Sequence, residues 1–520
     1  MGTRNNTGED ALISAAPDQI EHFGAFWGGR LALYRQATIS DIFTKFEAHG
    51  AIENFERVAA GQTGGHKGPA FIDGLLYETI RAAGDFVAQS GDRGLEERVD
   101  HYVQPIAAAQ KAVGDGYLNT RVTLMYPEQR WGNRGGNQLT NHELYNAGAL
   151  MEAGLRYWRA TGKSALLRIA VRFANHIADQ TLGPAGRNIV PAHSIAEEAY
   201  MEFFRLLREN PELGEGVEAR PAEIYLNLVR FWLENRGNHA GRISFTEYSQ
   251  DHAPLVEQRE AVGHSVRALL CYSGLTSYCR ETKDPALTGT AKRLWNDVVA
   301  RKMYISGGVG PIVQYEGFGY AYDLPNDGYL ETCAGIALAF WAHQMGLHLP
   351  EAQYADIVER VLYNVALGAV SQSGSEYTYR NPLVGNGKLR RWDWHECPCC
   401  PPMLMKIMAS IAEYSYYVSG RALFVNLYVA GTANLCVGGK AVGVSQSTNY
   451  PWEGEVTIQV QLDEPAQLAL NLRIPGWCTA WTISLNGERF CPQVSQNGYV
   501  SINRQWNDGD TVQLQLTLQA

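Results

Sequence analysis

The spacing of apolar positions along this chain changes once. From about Pro69 to Gly420 they recur at helical spacing, in long segments such as "NHELYNAGALMEAGLRYWRATG" and "RVLYNVALGAVS" separated by short polar turns. Such segments predict amphipathic helices joined in hairpins. After Gly420 the period falls to two. "ALFVNLYVAGTANLCV", "EVTIQVQL", "LALNLRIPGW", "WTISLNGERF" and "DTVQLQLTL" alternate apolar with polar residues, and Asn486-Gly487, Asn497-Gly498 and Asp508-Gly509 supply the turns. The pattern predicts a helical domain over residues 1–420 and a β-sandwich domain over 421–520.

The helical part carries a faint repeat. "YWRATGKSALLRIAVRFANHI" from Tyr157 and "YCRETKDPALTGTAKRLWNDV" from Tyr278 share Tyr-x-Arg-x-Thr and Ala-Leu in the same register. A long helix with a histidine near its start precedes each copy, opened by His142 ahead of Tyr157 and by His264 ahead of Tyr278 at almost the same distance. His193 opens a third such helix and Glu331 a fourth. Helical hairpins repeated around a closed ring bring the equivalent ends of their inner helices to one mouth. Each of these residues is also able to cap or pack locally, but independent caps need not share a register. The shared station therefore predicts convergence.

Composition narrows the partners. A net charge of -10 spread along 520 residues offers no basic patch for phosphates or anionic lipid headgroups, which excludes nucleic acid and membrane surfaces as expected partners. No run approaches the roughly 20 apolar residues of a membrane span, and the N-terminus lacks the apolar core of a secretory signal, so a cytoplasmic location is expected. Nine cysteines, an odd number without a leader, argue against a disulfide framework and for metal or catalytic use.

Two stretches carry that chemistry. In "QYEGFGYAYDLPNDGYLETC", Glu331 and Cys333 are two residues apart, about 200 degrees on a regular helix, so both face one ion only if the chain is still extended at Glu331. In "HECPCCPPML", the adjacent Cys399 and Cys400 would point to opposite faces of a strand, and Pro398, Pro401 and Pro402 favour a tight turn that brings both sulfurs to one side. Three thiolates and one carboxylate make a tetrahedral zinc site, structural or catalytic, with Cys397 as an alternative to one of the pair. Cys271, Cys279, Cys436, Cys478 and Cys491 read as packed thiols. Glu316 sits in an aromatic setting that can raise a carboxyl pKa, as a general acid requires, and Tyr315, Phe318, Tyr320 and Tyr322 beside it suit either a core or a platform for sugar faces.

At these residues the chain resembles glycoside hydrolase family 127, which includes β-L-arabinofuranosidases. "NHELYNAG", "PAHSIAEEA", "GHSVRAL", "SGGVG", "YDLPNDGYLETCA", "CPCCPP" and "LRIPGW" occur in the family's order. The resemblance implies an (α/α)6 barrel followed by a β-sandwich. It also implies Zn2+ held by Glu331, Cys333, Cys399 and Cys400, with Cys399 as nucleophile and Glu316 as acid/base. His142, His193 and His264 fall on sugar-contact positions. Met403 stands where the family usually has asparagine. The implied function is a retaining exo-glycosidase acting on a small glycoside or oligosaccharide; the sequence leaves the assembly undetermined, with a homodimer a reasonable state. A sugar isomerase or epimerase with a structural zinc, and a non-catalytic carbohydrate-binding protein, are the alternative readings on the same barrel.

Overall fold

Helices Ile72–Ser90, Glu143–Thr161, Ala196–Glu209, Ser265–Thr282, Thr332–His348 and Cys400–Ala409 pack side by side, the last against the first, in a closed ring. The computed structural model describes residues 11–135, 138–184, 186–385 and 387–518. Nearly every position of these inner helices is buried, since one side faces the barrel interior and the other a second layer of helices. That outer layer comprises Arg93–Val113, Ala165–Leu182, Ala222–Glu234, Pro285–Arg301 and Ala352–Val361, and Ile39–Ala48 completes it. The outer helices are amphipathic: Ala165–Leu182 buries its apolar face and leaves Arg172 and Asp179 to solvent. The architecture is an (α/α)6 barrel followed by β sheets. Among the described residues no helix is long and apolar enough to cross a membrane.

Two sheets pack face to face after the barrel. The five-stranded sheet runs in the order Ile13–Ser14, Tyr416–Ser419, Ala422–Val425, Ala466–Arg473, Tyr499–Trp506, with one parallel pair, Ala422–Val425 beside Ala466–Arg473. The seven-stranded sheet runs Glu488–Phe490, Trp481–Leu485, Thr511–Leu516, Glu455–Gln461, Lys440–Thr448, Gly431–Val437, Ile20–Phe23. Alternate residues of Thr511–Leu516 are buried between the sheets, as the period of two requires. The Asn486-Gly487 hairpin has positive φ at both residues (52° and 83°), the backbone of a tight two-residue turn.

Three expectations need correction. The barrel does not take in everything before Gly420: Ile13–Ser14 and Ile20–Phe23 are edge strands of the two sheets, and Tyr416–Ser419 is already a strand. The two N-terminal strands pair with Tyr416–Ser419 and Gly431–Val437, far along the chain, so no local pattern marks them. "ALFVNLYVAGTANLCV" breaks into Ala422–Val425 and Gly431–Val437, which lie in different sheets. Cys271 and Cys279 are packed, but Cys436 and Cys491 are exposed, because each falls on a solvent-facing position of its segment.

One buried contact joins the two domains. Arg473, fully buried at the end of its strand, pairs with Asp356 (2.5 Å) and Glu359 on the outer helix Ala352–Val361, and the Gly476 amide donates to Asp356 (3.0 Å). The "LRIPGW" stretch is thus a clamp between sandwich and barrel. Arg473→Ala strands two carboxylates at a buried interface and should destabilise the protein by about 3 kcal/mol or more, read as a lowered midpoint of thermal unfolding.

Candidate active site

The starts of all six inner helices face one cavity of about 330 Å3, whose lining includes Phe71, His142, His193, His264, Glu331 and Cys399. His142, His264, Glu331 and Cys399 are the residues immediately before helix start, and His193 lies three residues before Ala196. Each helix N-terminus presents unpaired N–H groups and the positive end of its dipole, so six together favour anionic side chains at this mouth. At the opposite end, where the dipoles turn negative, Arg159, Arg208 and Arg280 occupy last turns.

Glu331, Cys333, Cys399 and Cys400 each offer an atom within 4.8 Å of the others. Glu331 is extended (φ -58°, ψ 137°) and the helix begins at the next residue, which is how two positions so close in sequence face one point. Cys399 is in helical conformation and Cys400 is the first residue of its helix, so their side chains diverge by a helical step of about 100 degrees and not by the reversal of a strand. Pro401 and Pro402 lie inside that first turn, where a missing N–H costs nothing. The prolines therefore start a helix, where the sequence suggested only a turn.

The four donors fit a tetrahedral cation. The sulfur separations are 3.3 Å (Cys333 to Cys400), 3.4 Å (Cys333 to Cys399) and 3.9 Å (Cys399 to Cys400). Zinc bound at its usual Zn–S length sets its thiolates about 3.8 Å apart, and all three cysteines are free. Glu331 Oε1 lies 3.2 Å from Cys399 Sγ and 4.0 Å from Cys400 Sγ, while its Oε2 is buried with no partner. Burial, then the nearby Glu316 charge, pushes the Glu331 carboxyl up to about 8, and burial among the other thiols pushes Cys333 well above its ordinary value. A buried acidic cluster of this kind lacks a compensating positive charge of its own. Cys397 Sγ lies 3.8 Å from Cys399 Sγ, outside the four-donor group but lining the same cavity.

Glu316 is held by the start of a neighbouring helix. Its carbonyl accepts from the Ser265 amide (3.0 Å) and hydroxyl (2.8 Å), and Gly317 exchanges backbone hydrogen bonds with Ile312. A Cβ at Gly317 would sit 2.1 Å from the Tyr315 ring and 2.8 Å from the Gly263 carbonyl, so only glycine allows this close turn. The Glu316 carboxylate accepts from Tyr329 (2.8 Å) and Tyr379 (2.9 Å) through Oε1, and its Oε2 lies 3.0 Å from His264 Nε2. Burial alone would raise its pKa, but the bonds from His264, Tyr329 and Tyr379 outweigh burial and hold it at about 2. The aromatic setting expected to raise this carboxyl instead supplies phenol donors that stabilise its charge.

The Tyr379 hydroxyl is also 3.6 Å from Cys399 Sγ. One phenol thus stands between carboxylate and thiol, which face each other across the cavity no further apart than its two contacts laid end to end. The paired groups of a retaining glycosidase stand about 5 Å apart.

The three histidines form an arc, with ring centroids 6.1 Å apart for His142 and His193 and 6.0 Å for His193 and His264. Burial, then the charge of Arg267, drives His142 down to about 3 and His193 well below its ordinary value; burial also lowers His264. Neutral imidazoles each offer one donor and one acceptor, the same pairing a sugar hydroxyl offers. Arg267 is buried over the Tyr248 ring (4.6 Å), donates to the Ala192 carbonyl (2.9 Å) and approaches His142 Nε2 (3.4 Å).

Sequence reading placed eight residues here, and the structure brings all eight to this cavity or its wall. It missed Tyr329, Tyr379, Arg267, Tyr145 and Tyr248. Tyr329 and Arg267 stand inside motifs already singled out. Tyr379 had no such signal: it arrives because the Thr332 amide donates to the Tyr379 carbonyl (2.9 Å) and the Thr378 carbonyl accepts from the Thr332 hydroxyl (2.7 Å), laying that segment along the start of the Glu331 helix.

Comparison with known proteins agrees with this geometry. Residues 1–413 match the β-L-arabinofuranosidase GH127 catalytic domain, and residues 422–518 match the GH127 middle domain. The chain is 31% identical over 505 residues to a non-reducing end β-L-arabinofuranosidase of Bifidobacterium longum subsp. longum, covering 89% of this chain and 73% of that one. The structure of a GH127 β-L-arabinofuranosidase from Geobacillus stearothermophilus T6 superposes with a TM-score of 0.88 at 33% identity, covering 95% of this chain and 81% of that one. A second GH127 β-arabinofuranosidase structure gives 0.89 at 32% identity, covering 98% and 81%.

Proposed function

The chain belongs to glycoside hydrolase family 127, and on that premise we propose that it is a retaining hydrolase of terminal β-L-arabinofuranosides, with Cys399 as nucleophile and Glu316 as acid/base. The observation that carries this reading is the Tyr379 hydroxyl, in contact with the Glu316 carboxylate and with the sulfurs of Cys399 and Cys397 (3.6 Å each), of which only Cys399 belongs to the four-donor group. Cys399 is the half-exposed thiol of the four-donor group, while Cys333 and Cys400 are buried behind it.

In the first step the Cys399 sulfur attacks the anomeric carbon, the bond to the leaving oxygen breaks, and Glu316 passes its proton to that oxygen. In the second, the Glu316 carboxylate takes a proton from water as the water oxygen attacks the same carbon and the carbon–sulfur bond breaks. His142, His193 and His264, in an arc that ends at Glu316, orient sugar hydroxyls. Glu331, Cys333, Cys399 and Cys400 would hold zinc, which when bound keeps thiol groups deprotonated at neutral pH. A cysteine sulfur facing Glu316 favours this reading over an epimerase, which needs an acid/base for proton transfer but no such pair.

The test is hydrolysis of an aryl β-L-arabinofuranoside followed by NMR from the first turnovers. The first sugar released should be the β anomer, at a rate requiring one zinc per chain by elemental analysis and lost on chelation. Release of the α anomer first, or full activity in metal-free protein, would overturn it.

A further inference from the structure

Of the eighteen large apolar side chains left exposed among the described residues, ten fall in two places: six in segment 305–324, and four at Leu383, Val384, Leu389 and Trp392. The second is tied to the chain just past the first, since the Val384 amide donates to the Asn326 carbonyl (3.1 Å). Both adjoin the active site. The first contains Glu316, and the second lies between Tyr379 and Cys397. Single exposed apolar residues are ordinary, whereas a cluster bordering a cavity marks a surface that meets something.

The structure divides the four aromatic residues around Glu316. Phe318 is buried under Lys302, but Tyr315, Tyr320 and Tyr322 are 42%, 86% and 71% exposed. Tyr322 is held at φ 65°, a region that bulky side chains rarely enter, and its amide is tied to the Arg301 carbonyl (2.8 Å). A bulky ring kept in a strained backbone state and presented to water is stabilised by the fold around it without any contact of its own to account for it.

We propose that Tyr320 and Tyr322 form a platform for the leaving-group side of the substrate, so that the enzyme takes a terminal arabinofuranose from an oligosaccharide more efficiently than from a minimal glycoside. The inference rests on the glycosidase reading above. A general acid must stand beside the oxygen it protonates, so whatever is attached to that oxygen leaves the cavity past Glu316. Tyr320 and Tyr322 follow Glu316 closely in sequence, within about 20 Å of chain even if fully extended. Sugar rings carry C–H faces that pack on aromatic rings while their hydroxyls stay in water, and tyrosine matches both demands with its apolar body and polar tip.

Tyr320→Ala, Tyr322→Ala and the double variant separate the platform from the catalytic centre, because neither side chain reaches the cavity. The probes are methyl β-L-arabinofuranoside, whose leaving group is too small to touch the platform, and a trisaccharide ending in β-L-arabinofuranose. Turnover of both by the unaltered chain tests the glycosidase reading by itself. The platform predicts a fall in kcat/KM of about tenfold for the trisaccharide per ring removed, mainly through KM, with the methyl glycoside changed less than twofold and Tyr320→Phe close to the unaltered protein. Equal losses on both probes would overturn it. So would unchanged kinetics accompanied by a drop in molecular mass by light scattering, which would give this surface to a second copy of the chain.

Discussion

Cys399→Ser should lose turnover by about 10^4-fold or more, with the protein still folded. A serine at this position is a poor nucleophile at neutral pH: Glu316 is required as an acid in the same step, and the carboxylate beside the attacking atom, Glu331 at 3.2 Å, is one of the four donors that would hold zinc. The thiol nearest to it outside the four-donor group, Cys397, gives the control. Its sulfur is 3.8 Å from Cys399 and lies outside the four-donor group, so Cys397→Ser should cost less than tenfold. Measuring kcat/KM for both variants beside their zinc content distinguishes loss of the attacking atom from loss of the cage. If Cys399→Ser kept substantial activity and Cys397→Ser did not, the nucleophile would be Cys397.

Glu316→Gln should divide substrates by their leaving groups. For a poor leaving group such as an alkoxide the loss is expected at about 10^2- to 10^4-fold, whereas a dinitrophenolate departs without a proton and its first step should be nearly spared. The second step then lacks its base, so the variant should accumulate a covalent pentosyl adduct on Cys399, visible by intact-protein mass spectrometry. A uniform loss with no adduct would remove the acid/base assignment.

The pH dependence follows from the same group. His264, Tyr329 and Tyr379 hold the carboxyl at about 2, so above that pH the free site carries a carboxylate and must gain a proton before the first step. As pH rises, the protonated fraction falls. For poor leaving groups kcat/KM should therefore decline with increasing pH, by up to tenfold per unit, while dinitrophenyl substrates show no such limb. Tyr379→Phe removes one bond to the charged form and should move the decline to higher pH. The depressed pKa also contributes stability that is fully present above a carboxylate's ordinary range and is lost as pH falls towards 2.

Much of this protein was readable from one line of residues because the relevant information is local. A change in apolar period needs only neighbouring positions, so the barrel and sheets separated near Gly420. His142, His193, His264 and Glu331 announced themselves by standing at or near the starts of inner helices, and the repeat carried that register along the chain. Cysteine chemistry was legible for a similar reason: three thiols and a carboxylate flanked by prolines and loop residues have few uses that burial alone explains.

What the fold alone decided depends on contacts between distant segments. Ile13–Ser14 and Ile20–Phe23 belong to the sheets because their partners, Tyr416–Ser419 and Gly431–Val437, come from the other end of the chain, and strands this short carry too little pattern to show it. Tyr379 reaches Glu316 across 63 residues, and with Tyr329 and His264 it reverses the direction in which burial would have moved that carboxyl. Residue type and spacing determined which groups are present and at which helix ends they stand. Their charge state was decided only when folding set hydrogen-bond donors around them, since a pKa is the difference between burial and bonding, and neither exists until the chain has closed into its ring.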